Sequence, residues 1–418
     1  MLVDMTPAGL AQFIADQRVP VLEDILELGE VEVDLKQTAK TVILGADENA
    51  VYVARDLKDQ DLAATLVTPL PHIISWLDEE MAAFLLRELT SHGIQVFTGQ
   101  AQVTLQADHK AVVLRDGTVL PADLVYLDPG DLAEKLAGTY FDWYAAGDIY
   151  ALGKKVLHPP FLLGGVYTNL GKSAMAPVVS KTTEQHYTDP QIKLSRAYDL
   201  MAGGVGRTEE QVKAAGLTVD VIHVLGKIHD PDDPEITLIN LKLVFNPKDG
   251  AIYGAQIVGP TGVVKRIGIL AEAMKSGLTI ADLADIEVVA KPPYRVIKDP
   301  INMLGDAAVN LTHGLSQHIQ WYDLPAALAK GAKILDVRNP DEIAAGHFPD
   351  SVNIPLHQLR ERLSELDENQ AYIVSCRSGE RSYMAYRFLV QHGFDVTNLD
   401  GGYQIYQAVR PQDLVYLQ

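Results

Sequence analysis

Residues 376 to 382 read Cys376-Arg377-Ser378-Gly379-Glu380-Arg381-Ser382 and hold the one cysteine of the 418-residue chain. Upstream, Ala371 to Ser375 is a β-branched and aromatic run; downstream, Ser382 to Gln391 carries apolar residues at helical spacing. The spacing predicts a strand, a loop and a helix, with the cysteine at the helix N-terminus. Loop N–H groups and the positive end of the helix dipole then converge on the sulfur. With Arg377 and Arg381 nearby, they favour thiolate over thiol. The alternative for a lone cysteine is a small buried hydrophobe. Cys-x4-Arg between a strand and a helix is an anion cradle, and it makes Cys376 a candidate nucleophile, with Glu380 moderating the attraction of the two arginines for anions.

The rest of the chain must position this loop. Hydrophobic residues make up 47%, and a mean hydropathy of +0.04 fits a folded, soluble chain of two to four domains. No apolar run approaches the roughly 18 uncharged residues that span a bilayer, and Met1-Leu2-Val3-Asp4 lacks a basic secretory start. The expectation is a cytoplasmic protein with no membrane partner. A net charge of −20 argues against nucleic acid and anionic lipid. One cysteine excludes an internal disulfide and a Cys-pair zinc site, and no metal site is expected.

Residues 1–40 hold a helix-like stretch, Ala8 to Asp16, and an acidic patch from Glu23 to Asp34, without assignable chemistry. Thr41 to Leu44 is a buried-strand run followed by Gly45-Ala46-Asp47-Glu48-Asn49-Ala50 and a helical pattern from Val51 to Leu57. This is the place of a dinucleotide-binding turn. Asp47 and Ala50 stand where that turn wants its second and third glycines, and Thr68 ends the next strand where an NAD site has its ribose acid. A helix from Asp78 to Ser91 follows, then a strand at Gln95 to Thr98. A meander turning at Arg115-Asp116-Gly117 and a strand at Leu124 to Leu127 complete the unit. Further on, Val219 to Gly226, Ile236 to Phe245 and Ala251 to Gly259 read as antiparallel strands, with a helix from Val263 to Ser276.

The C-terminal stretch resembles a rhodanese domain. Ile334-Leu335-Asp336-Val337-Arg338, Gly346-His347-Phe348-Pro349, Asn353-Ile354-Pro355 and Leu399-Asp400-Gly401-Gly402-Tyr403 carry the resemblance over about residues 316 to 412. Upstream, the strand order resembles the NAD domain of the pyridine nucleotide–disulfide oxidoreductases. Tyr144-Ala145-Ala146-Gly147-Asp148 resembles the segment whose aspartate contacts the flavin in those enzymes. Pro292-Pro293-Tyr294 and Lys298 to Met303 resemble the closing segment of the coenzyme A-disulfide and coenzyme A-persulfide reductases, some of which carry a C-terminal rhodanese domain. The first flavin-binding segment of that family and its redox cysteine have no counterpart here.

The expected fold is α/β in four parts: an N-terminal segment (1–40), a degenerate Rossmann-type unit with a flavin-domain remnant (41–190), an α+β dimerisation domain (191–315) and a C-terminal rhodanese domain (316–418). The resemblance implies a sulfurtransferase that carries sulfane sulfur as a Cys376 persulfide. The loop spans six residues, one fewer than in the related phosphatases, which suits sulfur over phosphate. Asp336, Arg338 and His347 are expected to support the loop without doing chemistry. Gly45 and Asp148 are the relics of cofactor sites, and no cofactor is expected. Small sulfane-sulfur donors, thiol acceptors and a second copy of the chain are the expected partners. The alternatives are an FAD- and NAD(P)H-dependent coenzyme A-disulfide or persulfide reductase, and a non-enzymatic sulfur carrier.

Overall fold

The computed structural model describes residues 2–4, 40–105, 111–127, 150–152, 191–230, 233–289 and 298–416. Contacts divide the chain into two compact units, residues 1–75, 86–188 and 196–198 against residues 76–85, 189–195 and 199–418. Among the described residues no helix is long and apolar enough to cross a membrane.

In the first unit, strands β1 (Leu2–Asp4), β5 (Gln102–Leu105), β6 (Ala111–Leu114) and β7 (Val119–Pro121) form an antiparallel sheet in that order. Its β6–β7 turn is the expected one: Gly117 has φ +89 and Asp116 accepts the Thr118 N–H at 2.9 Å. The second sheet is Rossmann-like. Strands β4 (Gln95–Phe97), β3 (Ala63–Val67), β2 (Lys40–Leu44) and β8 (Leu124–Leu127) run parallel in that order, and β9 (Tyr150–Leu152) adds an antiparallel edge beyond β8. Helix α1 (Glu48–Asp59) connects β2 to β3 and buries Ala50, Val51, Ala54 and Leu57. Helix α2 (Glu79–Ser91) lies between β3 and β4, and its first turns belong to the second unit. Two pairings go beyond the sequence reading: Leu2–Asp4 pairs with β5, and β9 extends the sheet past β8. Ala8 to Asp16 and Asp148 lie outside the described residues.

An antiparallel sheet, in the second unit but for the last two residues of β10, has the order β10 (Ile192–Ala197), β11 (Leu200–Gly206), β14 (Ile252–Gly259), β13 (Asp233–Phe245), β12 (Asp220–Asp230). On β13, Ile239, Leu241, Leu243 and Phe245 share one face by the strand's twofold alternation. They join one core with Ile267 and Leu270 of α4 (Val263–Lys275) and Ile301 and Leu304 of α6 (Pro300–Thr312). Two short helices, α3 (Glu209–Ala214) and α5 (Ile280–Asp285), complete this part. The chain itself thus covers the apolar face of β13.

The C-terminal part is a five-stranded parallel sheet. Its order is β15 (His318–Ile319), β19 (Val396–Leu399), β18 (Tyr372–Ser375), β16 (Lys333–Asp336), β17 (Val352–Asn353). Every residue of β18 is buried, as a central parallel strand covered on both faces requires. Helices α7 (Leu324–Ala329), α8 (Pro340–Ala344), α9 (Glu380–Gln391) and α10 (Gly402–Val409) connect and flank the strands.

Candidate active site

Cys376 directly follows β18, the middle strand, at the carboxyl edge where open parallel sheets present ligand sites. It is buried, with 1% of its surface exposed. Its Sγ accepts the Gly379 N–H at 3.1 Å. Ser382 Oγ stands 3.4 Å from Sγ and 3.1 Å from the Gly379 carbonyl oxygen, so its one proton serves either acceptor. Gly379, at φ +103, supplies a conformation that L side chains rarely adopt and delivers the chain into α9 at Glu380. The first turn of α9 therefore sets its free N–H groups and positive dipole end at the loop.

The two arginines differ. Arg377 is exposed, whereas Arg381 is half-buried and gives both Nη atoms to the Glu342 carboxylate, at 2.6 and 2.7 Å. That bidentate pair holds Glu342 below the usual carboxylate range and raises Arg381. Arg381 thus reaches the loop already neutralised in part, and Arg377 carries the more available charge. Glu380 is exposed and Ser378 half-buried beside it.

Asp336 and Arg338 are buried against one another, with Nε at 3.0 and 2.9 Å from the two carboxylate oxygens and Nη2 at 2.7 Å from Oδ2. Arg338 also donates to the Gly346 carbonyl at 3.0 Å and stacks over the Tyr403 ring at 3.8 Å. His347 is engaged locally. Its Nδ1 lies 3.3 Å from the Ile343 carbonyl, and its main chain exchanges two 2.9 Å hydrogen bonds with Val415.

A second turn locks the loop from the other side. Tyr403 N–H donates to the Cys376 carbonyl at 2.8 Å and Gln404 N–H to that of Arg377 at 3.0 Å. Gly402, at φ +60, has no room for a side chain, since a Cβ there would lie 2.5 Å from the Cys376 carbonyl oxygen. Just before this turn, Asp400 is buried and accepts the His223 main-chain N–H at 3.2 Å, the His223 Nδ1–H at 2.7 Å and Gln320 Nε2–H at 3.0 Å.

His223 stands in a row with Lys242 and Gln256, which oppose each other across β12, β13 and β14 on the face away from the apolar core. Glu80 accepts from His223 Nε2 at 3.0 Å and from Lys242 at 2.5 Å; Asp78 and Glu209 take Lys242 Nζ at 2.9 and 2.7 Å. The residues that open the C-terminal part join in: Trp321 Nε1–H donates to Glu80 at 3.3 Å and Tyr322 Oη–H to Glu209 at 2.5 Å. Asp78, Glu80 and Glu209 sit close enough to grip a metal ion, but Lys242 Nζ already occupies the space between them. The sequence placed Asp78 and Glu80 only at the start of a helix. The lysine on the polar side of an otherwise apolar strand was the signal for their partner.

In the Rossmann-like unit, Gly45, at φ +136, gives its N–H to the Val67 carbonyl at 2.8 Å. Asp47 caps α1 without a side-chain cap bond and instead accepts the Ser75 N–H at 2.7 Å, while Ile74 N–H bonds the Ala46 carbonyl at 2.8 Å. Thr68 Oγ1 accepts the Leu70 N–H at 3.2 Å. The groups that would meet a dinucleotide are thus tied to the protein's own loop, and a carboxylate stands where a diphosphate needs N–H donors. The turn does not fit a dinucleotide.

The chain matches the rhodanese-like domain over residues 321–408, the pyridine nucleotide-disulphide oxidoreductase dimerisation domain over 197–299 and the pyridine nucleotide-disulphide oxidoreductase family over 9–133. Among solved structures it resembles reduced Bacillus anthracis CoADR-RHD, at 30% identity and a TM-score of 0.77 over 92% of this chain and 73% of that one. It also resembles an NAD-dependent persulfide reductase from A. fulgidus, at 28% identity and a TM-score of 0.72 over 92% and 74%. The chain spans 65% of the length of two curated relatives: a Methanocaldococcus jannaschii NADH oxidase, 23% identical over 65% of this chain, and an Allochromatium vinosum sulfurtransferase, 43% identical over 70 residues, 16% of this chain. The chain belongs to the coenzyme A-disulfide and persulfide reductase family, pyridine nucleotide–disulfide oxidoreductases with a C-terminal rhodanese domain.

Proposed function

We propose that this protein is a rhodanese-type sulfurtransferase that carries sulfane sulfur as a Cys376 persulfide. The observation that carries this reading is the Gly379 N–H aimed at Cys376 Sγ at 3.1 Å, inside a six-residue loop at the mouth of the central strand. The thiolate attacks the outer sulfur of a donor such as thiosulfate; the donor's S–S bond breaks, sulfite leaves with the electron pair, and Cys376 holds the persulfide. A thiophilic acceptor, cyanide or a thiolate, then takes the outer sulfur and Cys376 leaves as thiolate. Backbone N–H groups from Arg377 to Ser382 stabilise the charged sulfur. Arg377 draws anionic donors, Arg381 and Glu380 tune that charge, and Asp336, Arg338 and His347 hold the loop in shape. Treatment with thiosulfate should add one sulfur to Cys376 by mass spectrometry, and thiosulfate–cyanide transfer that survives Cys376→Ser would sink the reading.

The scaffold, in this reading, is a homodimer in the cytoplasm, divided near residues 40, 190 and 315, with small sulfur donors and thiol acceptors as partners. The dimerisation-domain match supports the dimer. An FAD- and NAD(P)H-dependent coenzyme A-disulfide or persulfide reductase is the second reading, supported by the oxidoreductase match over residues 9–133. Asp47 and its bond to Ser75 weigh against it. A non-enzymatic carrier would load sulfur once but show no turnover with cyanide.

A further inference from the structure

We propose that His223 and Asp400 are positioning residues for the Cys376 loop: the dimerisation-type sheet grips Asp400, and the turn after it orients the peptides that face the sulfur. The inference rests on the sulfurtransferase reading but concerns residues outside the loop.

The geometry runs in three links. Asp400 is held from β12 by two donors of the same residue, the His223 main-chain N–H and ring Nδ1–H, and from the start of the rhodanese part by Gln320. Gly401 and Gly402 follow, both left-handed at φ +66 and +60, and Gly402 lies against the Cys376 carbonyl with no space for a Cβ. The next two N–H groups, of Tyr403 and Gln404, then take the carbonyls of Cys376 and Arg377. In a planar trans peptide the C=O of one residue and the N–H of the next point in opposite directions. Pulling those two carbonyls toward α10 therefore turns the N–H groups of Arg377 and Ser378 the other way, into the loop. A persulfide anion on Cys376 needs such donors already in place. Gln404 adds a further tie to the same sheet through Asn240, at 3.0 Å.

A rhodanese fold standing alone could close its own loop, yet here the turn is anchored across 177 residues of sequence by a buried hydrogen-bonded pair. Asp400 does not touch the sulfur. It acts through the turn.

The test uses the full chain, whose single cysteine makes alkylation by iodoacetamide a site-specific probe. Asp400→Asn and His223→Gln should slow sulfur loading from thiosulfate at least tenfold through kcat, with KM for thiosulfate within twofold of wild type, and should change the Cys376 alkylation rate by a similar factor. The double variant His223→Gln/Asp400→Asn replaces the ion pair by a neutral hydrogen-bonded pair and should recover most of the loading rate. Gln320→Met, which removes one neutral donor to Asp400, should slow loading two- to threefold. Folded variants that alkylate and load at the wild-type rate overturn the proposal. If either single variant does not fold, Gln320→Met decides, and wild-type loading and alkylation rates in it overturn the proposal. Should wild-type protein itself fail to load sulfur, the sulfurtransferase reading falls, while a changed alkylation rate in the variants would still support the positioning role.

Discussion

Asp400 and His223 meet at 2.7 Å in the interior, and the other ring nitrogen of His223 faces Glu80 at 3.0 Å. Both nitrogens thus point at carboxylate oxygens, which accept and cannot donate when ionised, so both must carry protons. Burial opposes the imidazolium, but Asp400 and then Glu80 outweigh it and raise His223 to about 9. Asp400 and Glu80 are held low in turn, against the effect of their own burial, by the charges they face.

This raised histidine makes stability depend on pH with a definite sign. A group that binds its proton more tightly when folded contributes fully below its unfolded value, near 6.5, and loses that contribution as pH rises through about 9. His318, raised through its bond to Asp220 against burial, acts in the same direction. Stability should therefore fall on the order of 3 kcal/mol between pH 6.5 and pH 9. Calorimetry across that range checks it, and a wild-type slope retained in His223→Gln would assign the effect to other groups.

Lys242 holds three carboxylates at 2.5 to 2.9 Å with its own side chain fully buried. Replacing it by Met keeps the volume and removes the one charge that Asp78, Glu80 and Glu209 share, leaving only His223 beside Glu80 and Lys213 beside Glu209. Removing one partner of a buried ion pair costs about 3–5 kcal/mol. Urea unfolding of Lys242→Met should show a loss of that size, and a loss under 1 kcal/mol would mean that the acids find protons or other donors.

The local grammar of this chain was legible: the Cys376 loop between a strand and a helix, the Arg115-Asp116-Gly117 turn, the antiparallel strands and the parallel run through Gly45. Each depends on neighbours within a few residues. The links that join these parts were not. Asp78 meets Gln256 and Asp400 meets His223 across 178 and 177 residues, and no periodicity reports such a pairing. Arg381 read as a free cation because its partner Glu342 lies 39 residues upstream on another helix. The alternation of β13 marks an apolar face, but not that α4 and α6 of the same chain cover it.

The difference between the two loop arginines predicts a difference in donor capture. Arg377 is exposed, and Arg381 shares its charge with Glu342. Arg377→Ala should raise KM for thiosulfate several-fold, an effect that fades at high salt as surface charges are screened. Glu342→Gln should lower KM, because it frees Arg381. Steady-state kinetics at two ionic strengths read both, and equal, salt-independent effects would place the donor elsewhere.

The Gly45 turn carries the last prediction, that the purified protein binds neither NAD nor FAD tightly. Asp47 stands at the second glycine position of the dinucleotide turn, and its carboxylate is bonded to Ser75 N–H. A carboxylate against a diphosphate costs only on the order of a kcal/mol at a surface dielectric, so that contact alone would weaken binding without abolishing it. The loop adds more: binding must also break the Ile74 N–H bond to the Ala46 carbonyl, in a segment where Ile73 and Ile74 are fully buried. Thr68, at the ribose position, spends its hydroxyl on the Leu70 N–H and offers no acid. Titration calorimetry should find NADH affinity weaker than millimolar, and visible absorption should show no flavin. Stoichiometric FAD, or NADH oxidation with coenzyme A disulfide, would mean that the 73–75 loop opens to admit a nucleotide, and the reductase reading would take first place.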